Sequence, residues 1–201
     1  MRTVDPAQHA ARRRHIAEAA AGCFARNGFD RTTTADICRE AGMSSGSLFH
    51  YFPSKKAVFL AIFEDDARQT AALLAEAATA ADPWAAVLHV LDVLAAPAAD
   101  PAAPGLVMAL LSMAGRDPDV AELLERGDVE ACAGLATLLD AAAARGQIDP
   151  GVDTAVAAAW VLGLVDTLFL RADAARGFDP VEQARTLRLV AARFLRAPDP
   201  P

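Results

Sequence analysis

The sequence predicts an all-α protein, and three observations carry that reading. Alanine dominates the 201 residues while tyrosine occurs once and tryptophan twice, so strong helix formers outweigh the β-branched and aromatic runs that strands favour. Apolar residues recur at helical spacing along most of the chain. Proline and glycine fall between those periodic stretches and punctuate them. With 54% hydrophobic and 22% charged residues, the chain has the material for a substantial core and is unsuited to wholesale disorder. Its length fits one large domain, or a small module joined to a medium one.

Met1 to Arg14 is poor in apolar residues and ends in Arg12-Arg13-Arg14. Such an arm is suited to following a phosphate backbone or reaching into a groove, although a run of arginines at a helix start is commonly just solvated. From about Arg12 to Asn27 the positions Ile16, Ala20, Cys23 and Phe24 share a helix face, and Gly28 is placed to end it. Thr33 with Asp36 three residues on has the form of a capping box, opening a second helix from about Thr34 to Ala41. Gly42-Met43-Ser44 supplies a tight turn, and Ser44 is a cap for a third helix from about Ser45 to Phe52. Pro53 stops that helix, and Ser54 can cap a fourth whose apolar face is Val58, Phe59, Ile62 and Phe63.

Six further helices are expected over Ala67 to Ala80, Trp84 to Ala95, Gly105 to Ala114, Val120 to Arg145, Asp153 to Ala174 and Pro180 to Ala197. The Ala-Pro-rich stretch Pro97 to Pro104 reads as a mobile loop, Gly146 to Gly151 as a break between two long helices, and 198–201 as a disordered tail. The organisation expected is an arm and small helical head over 1–63, then a helical body over 64–197.

The formal net charge of −7 divides unevenly. Residues 1–63 carry nine Lys and Arg against five Asp and Glu, whereas residues 64–201 carry ten against twenty-one. A basic head on an acidic body can present the head to DNA while the body is repelled by phosphate. Cys23, Cys38 and Cys132 are odd in number and far apart, so neither a disulfide framework nor a metal cluster is expected, and a reducing cytoplasm fits best. No secretory pattern opens the chain. The apolar stretch Val152 to Leu170 is broken by Asp153 and Asp166, so a buried or interfacial helix is expected in place of a membrane span.

Two short helices joined by a glycine-containing turn and preceded by a longer supporting helix have the geometry of a helix-turn-helix. The stretch from Ile16 to Phe63 resembles the DNA-binding domain of the tetracycline-repressor (TetR) family. The resemblance rests on Ile16, Ala20, Phe24 and Gly28, on Thr32-Thr33 and Ile37, on Ala41-Gly42-Met43-Ser44-Ser45-Gly46-Ser47-Leu48-Phe49-His50-Tyr51-Phe52, and on Ser54-Lys55-Lys56. It implies a three-helix reading head joined through a fourth helix to an all-helical domain that binds ligand and dimerises. The third helix would enter the major groove, with Ser44, Ser45, Gly46 and Ser47 at its N-terminal end near phosphate or base edges. Phe49 stands where the family usually has tyrosine, Tyr51 where it often has histidine, and His50 is a candidate phosphate or base contact. Lys55 matches the family's phosphate-clamping lysine, and Thr33 would meet phosphate at the start of the second helix. Ile16, Phe24, Ile37, Leu48, Phe52 and Phe59 are expected to form the head's core.

The same resemblance implies that the last two long helices pair with their copies in a second subunit. Val161, Leu164, Val165, Leu168, Phe169, Leu187, Val190, Ala191 and Phe194 are the interface candidates, and a monomer core would use the same pattern equally well. A two-fold dimer would read an inverted-repeat operator. The middle helices would enclose a pocket for a small effector, with Trp84, Leu88, His89, Met108, Leu111, Met113, Leu135, Leu139 and Trp160 as candidate lining. Their apolar character favours a lipophilic effector and neighbouring acids leave a cationic one open. Core packing competes with pocket lining at each of them.

The expected function is therefore a homodimeric transcriptional regulator, a repressor released from duplex DNA by its effector. The competing reading is an effector-independent helical DNA-binding or protein-interaction dimer with a filled body. An enzyme has little support: His9, His15, His50 and His89 are scattered, no metal spacing or phosphate loop is present, and no cofactor is implied.

Overall fold

The computed structural model describes residues 6–174 and 177–197, and among them the chain is helical with no strand. The tail at 198–201 and the first five residues of the arm lie outside the described residues. The order is α1 (Pro6–Arg31), α2 (Thr34–Glu40), α3 (Ser45–Tyr51), α4 (Lys55–Ala77), α5 (Pro83–Ala95), a 3-10 turn (Ala96–Ala99), α6 (Ala103–Ala114), α7 (Pro118–Ala144), α8 (Thr154–Ala174) and α9 (Pro180–Phe194).

Three departures from the sequence reading have identifiable causes. First, α1 begins at Pro6 and absorbs the basic run that reads as an arm; proline suits a first helical turn, and Ala7, Gln8, Ala10 and Ala11 continue it. Second, α4 runs unbroken through Glu64–Ala67, where no glycine or proline stands to stop it. Third, the expected loop after Pro97 is in part a 3-10 turn, held because Ala98 is buried in a core.

The chain forms two compact units, Met1–Asp66 with Gly105–Leu123, and Ala67–Pro104 with Leu124–Pro201. A single cut near residue 63 does not describe them, since α6 and the first turn of α7 fold with the N-terminal helices. In this first unit, Ile16, Phe24, Ile37, Leu48, Phe52 and Phe59 are all buried and are joined by Ala109, Met113 and Val120. Phe24 and Phe59 meet edge to face at 5.0 Å, and Phe29 closes the group at 5.1 Å from Phe59. Each buried phenylalanine is worth about 1.5–3 kcal/mol in apolar burial, so these rings account for much of what makes the small head rigid. α6 crosses α1 at Gly105, where a β-carbon would stand 2.4 Å from the Ala25 carbonyl oxygen. Lys56 ties the start of α7 to the head, donating to Asp117 at 2.8 Å and Asp119 at 2.6 Å.

In the second unit Val87, Val90 and Leu91 of α5 pack with Leu135, Leu138 and Leu139 of α7, Val161 and Val165 of α8, and Leu187 and Ala191 of α9. Asp82 caps α5 by accepting from the Ala85 N–H at 3.1 Å, and Gln147 donates to the same carboxylate at 2.7 Å. α8 is long and apolar enough to cross a membrane by length and composition, with hydropathy 1.6 over Thr154–Ala172. In this fold one of its faces, Ala157, Ala158, Val161, Val165 and Leu168, is core.

Candidate nucleic-acid interface

The reading geometry begins at the end of α1. Gly28 takes φ 73° and ψ 171°, a backbone conformation that favours glycine and kinks α1 three residues before its end. The fully buried Thr32 hydroxyl lies 2.8 Å from the Gly28 carbonyl and 3.1 Å from that of Cys23, and its single proton is shared between carbonyls at the kink of α1. Thr33 then opens α2 with a complete capping box: its hydroxyl accepts from the Asp36 N–H at 3.1 Å, and the Asp36 carboxylate accepts from the Thr33 N–H at 3.0 Å. These bonds, led by the 2.6 Å bond from the Thr33 hydroxyl and joined by Arg39, hold Asp36 at about 2, below its ordinary 3.8.

Gly42, at φ 61°, turns the chain between the two helices, and the Met43 N–H donates back to Cys38 at 2.9 Å. Ser44 caps α3 by accepting from the Ser47 N–H at 3.2 Å. Leu48 and Phe52, one helical turn apart, anchor α3 in the core at 1% exposure each. The opposite face is thereby forced outward. Ser45, Gly46, Ser47 and His50 are exposed, Phe49 is exposed at 50%, and Tyr51 is half-buried.

Thr33 and Ser44 are also exposed, so being caps leaves them accessible at the two helix N-termini. Thr33, Ser44, Ser45, Gly46, Ser47, Phe49, His50 and Tyr51 thus belong to one short α2-turn-α3 segment with its small and aromatic side chains outward. Lys55 differs from the free cation that its position implies. Its ammonium donates to the carbonyls of Phe29 and Thr32, both at 2.7 Å, and reaches that of Asp30 at 3.4 Å. It also sits 4.3 Å from the centre of the Phe29 ring. Burial pushes its pKa below the usual lysine value, against the opposing pull of Asp30. An ammonium has three donors, and here they are turned into the α1–α2 linker.

Two residues of α1 touch α3: Arg13, which the sequence places in a basic run suited to phosphate, and His9, which it does not place at the site. The Arg13 guanidinium donates to the Tyr51 carbonyl at 2.5 Å and lies 4.0 Å from the centre of the Phe52 ring. The His9 ring packs 4.9 Å from that of Tyr51. The only signal in the sequence was their four-residue spacing, which puts both on one face of a helix once α1 is known to start at Pro6.

The candidate pocket residues divide between the two units. Met113 is in the core of the first unit, where Met108 and Leu111 are exposed on α6. Trp84, Leu88, Leu135 and Leu139 are buried in the core of the second unit, where His89 is exposed. Trp160 projects from the uncovered face of α8 at 66% exposure, over a groove lined by Ala159, Gly163, Leu164 and Thr167. Of the interface candidates, Val161, Val165, Leu168, Leu187 and Ala191 are consumed by the chain's own core, which removes them from any outward surface. Leu164 and Phe169 are half-buried, and Val190 and Phe194 are exposed at 43% and 46%.

Comparison with known proteins places these features. The family description "Bacterial regulatory proteins, tetR family" matches residues 16–62, and "BetI-type transcriptional repressor, C-terminal" matches residues 83–197. The transcriptional repressor Rv1474c of Mycobacterium tuberculosis is 42% identical over 64 residues, 32% of this chain, so the match spans about a third (34%) of that relative's length. The Escherichia coli regulator UidR is 28% identical over 157 residues, 76% of each chain. The solved structure of Salmonella enterica GusR superposes with a TM-score of 0.76 at 28% identity, covering 98% of this chain and 100% of that one. The matched segments take in the capped α2-turn-α3 unit and the helices that follow it, and on that ground the chain belongs to the tetR family of bacterial regulatory proteins.

Proposed function

We propose that this regulator is a homodimeric repressor that reads an inverted-repeat DNA operator with α3 and is released from it by a small apolar effector. The observation that carries the reading is the outward face of α3, where Ser45, Gly46, Ser47, Phe49 and His50 stand exposed while Leu48 and Phe52 root the helix. Small residues at the N-terminus permit close approach to the groove floor, and an exposed aromatic ring can pack on a thymine methyl. Thr33 and Ser44 offer helix N-termini to phosphate. Exposed basic side chains such as Arg12 and Arg14 on α1 would supply the electrostatic attraction. A protein working on genomic DNA in this way acts in the cytoplasm.

The second copy is supported by Trp160, Val190 and Phe194, apolar side chains on α8 and α9 that the second unit leaves uncovered. Isologous pairing of those helices would bury them and give a two-fold reader for a two-fold site. The effector part of the reading rests on the chain's membership of the family. Release requires that the effector-bound and free states differ in DNA affinity, so an effector is defined by that difference and not by occupancy alone.

The test is selection of bound duplexes from a random library at fixed salt. Enrichment of an inverted repeat is the expected result. A folded dimer that enriches nothing would remove the operator reading.

A further inference from the structure

We propose that His9 and Arg13 of α1 form a clamp on the C-terminal end of α3, and that the clamp fixes His50 and Tyr51 in the orientation from which they select bases. This rests on the DNA-reading role proposed above and adds to it a pair of positioning residues outside the helix-turn-helix.

The need for a clamp follows from the size of α3. Seven residues make just under two turns in all, too short to hold a helix by backbone bonds alone. Its N-terminal end is held by the Ser44 cap and its middle by Leu48. Its C-terminal end leaves carbonyl oxygens without helical partners. The Arg13 guanidinium fills that place: one nitrogen donates to the Tyr51 carbonyl at 2.5 Å, and the planar group covers Phe52 at 4.0 Å. A cation at a helix C-terminus also opposes the negative end of the dipole.

His9 lies one helical turn before Arg13, on the same face of α1. Its ring is 4.9 Å from Tyr51, tilted at 41°, and 6.4 Å from His50, nearly perpendicular at 77°. His50 and Tyr51 are themselves edge to face at 5.2 Å. Three rings in mutual contact restrict one another's rotamers, whereas His50 and Tyr51 alone on an exposed helix end would sample several. Base discrimination depends on side chains held in place by neighbours that do not themselves read DNA. His9 and Arg13 occupy that supporting position, so the basic run of α1 has a division of labour: Arg13 is spent on α3, while Arg12 and Arg14 are exposed.

Tyr51 is the chain's single tyrosine, so fluorotyrosine incorporation gives one resonance that reports on the ring cluster without DNA. The full chain would be compared with His9→Ala, His9→Phe and Arg13→Met in two measurements, that resonance and the base-preference profile from duplex selection. His9→Ala and Arg13→Met are expected to move and sharpen the resonance. They should also weaken discrimination about tenfold at the base positions that His50→Ala itself affects, with other positions unchanged. His9→Phe, which keeps a ring, is expected to restore the profile. A resonance that stays put in both His9→Ala and Arg13→Met overturns the clamp. A resonance that moves while the profile stays intact overturns its role in selectivity. Failure of His9→Phe to rescue would overturn ring packing as the cause. If the unaltered protein enriches no sequence, it is the DNA reading that falls, and the resonance still decides whether the clamp exists.

Discussion

Replacing Lys55 by methionine separates two roles that the same residue type can play. The ammonium makes two bonds of 2.7 Å to the Phe29 and Thr32 carbonyls and a weak third at 3.4 Å to Asp30. A hydrogen bond to a charged group is worth about 1.5–3 kcal/mol, and partial exposure brings two of them toward the low end, so Lys55→Met should cost about 3 kcal/mol. Methionine keeps the aliphatic stem against Phe29, which confines the loss to the donors and the cation–ring contact. Urea unfolding with an unchanged slope would read that cost as a lower midpoint. Operator affinity measured from low to moderate salt supplies the second readout, since each neutralised phosphate contributes about 0.9 to the slope of log K against log salt. The expectation is a destabilised variant whose salt slope matches the parent. A variant of parental stability whose slope is shallower by about 0.9 would refute the reasoning and return Lys55 to the phosphate backbone.

Three further outcomes are expected. The capping-box carboxylate Asp36 sits at about 2 when folded against an ordinary 3.8, so its contribution is fully present above about pH 4 and is lost as pH falls toward 2. Asp36→Asn should therefore flatten the acid limb of stability measured by circular dichroism, and an unaltered acid limb would contradict the assignment. Gly105→Ala would press a methyl group onto the Ala25 carbonyl, a backbone atom that cannot swing aside, and should lower stability by about 1–3 kcal/mol in thermal unfolding; a neutral result would mean that α6 and α1 are not in close contact. Phe194→Asp, at a 46% exposed site, should leave the helical spectrum intact while sedimentation reports monomers, and a persisting dimer would exclude this end of α9 from the interface.

Much of the reading head was legible because its signals are local. A capping box, a left-handed glycine and a serine cap act within four residues of chain, and Thr33 with Asp36, Gly42 and Ser44 do in the structure what their spacing predicts. The head's core was legible for a related reason. Ile16, Phe24, Leu48 and Phe52 lie at helical spacing, and an apolar face of a short amphipathic helix has one stable destination.

The side chains' partners were not legible, because they are set by residues far away in the chain. Lys55 gives its charge to carbonyls 23–26 residues earlier, and Arg13 caps a helix 38 residues later. The second unit shows the same limit. α8 is apolar around much of its circumference, so its pattern does not distinguish Val161, which faces inward, from Trp160, which does not; α9 is amphipathic, yet Leu187 is buried while Phe194, seven residues on along the same face, is exposed. Helix type and helix ends are settled by the chain's own neighbours, so the sequence by itself determined an all-helical protein with a helix-turn-helix near its start. Which face each helix buries, and which charges are spent on backbone carbonyls instead of being offered to a ligand, depends on packing between distant segments, and only the tertiary structure decided it.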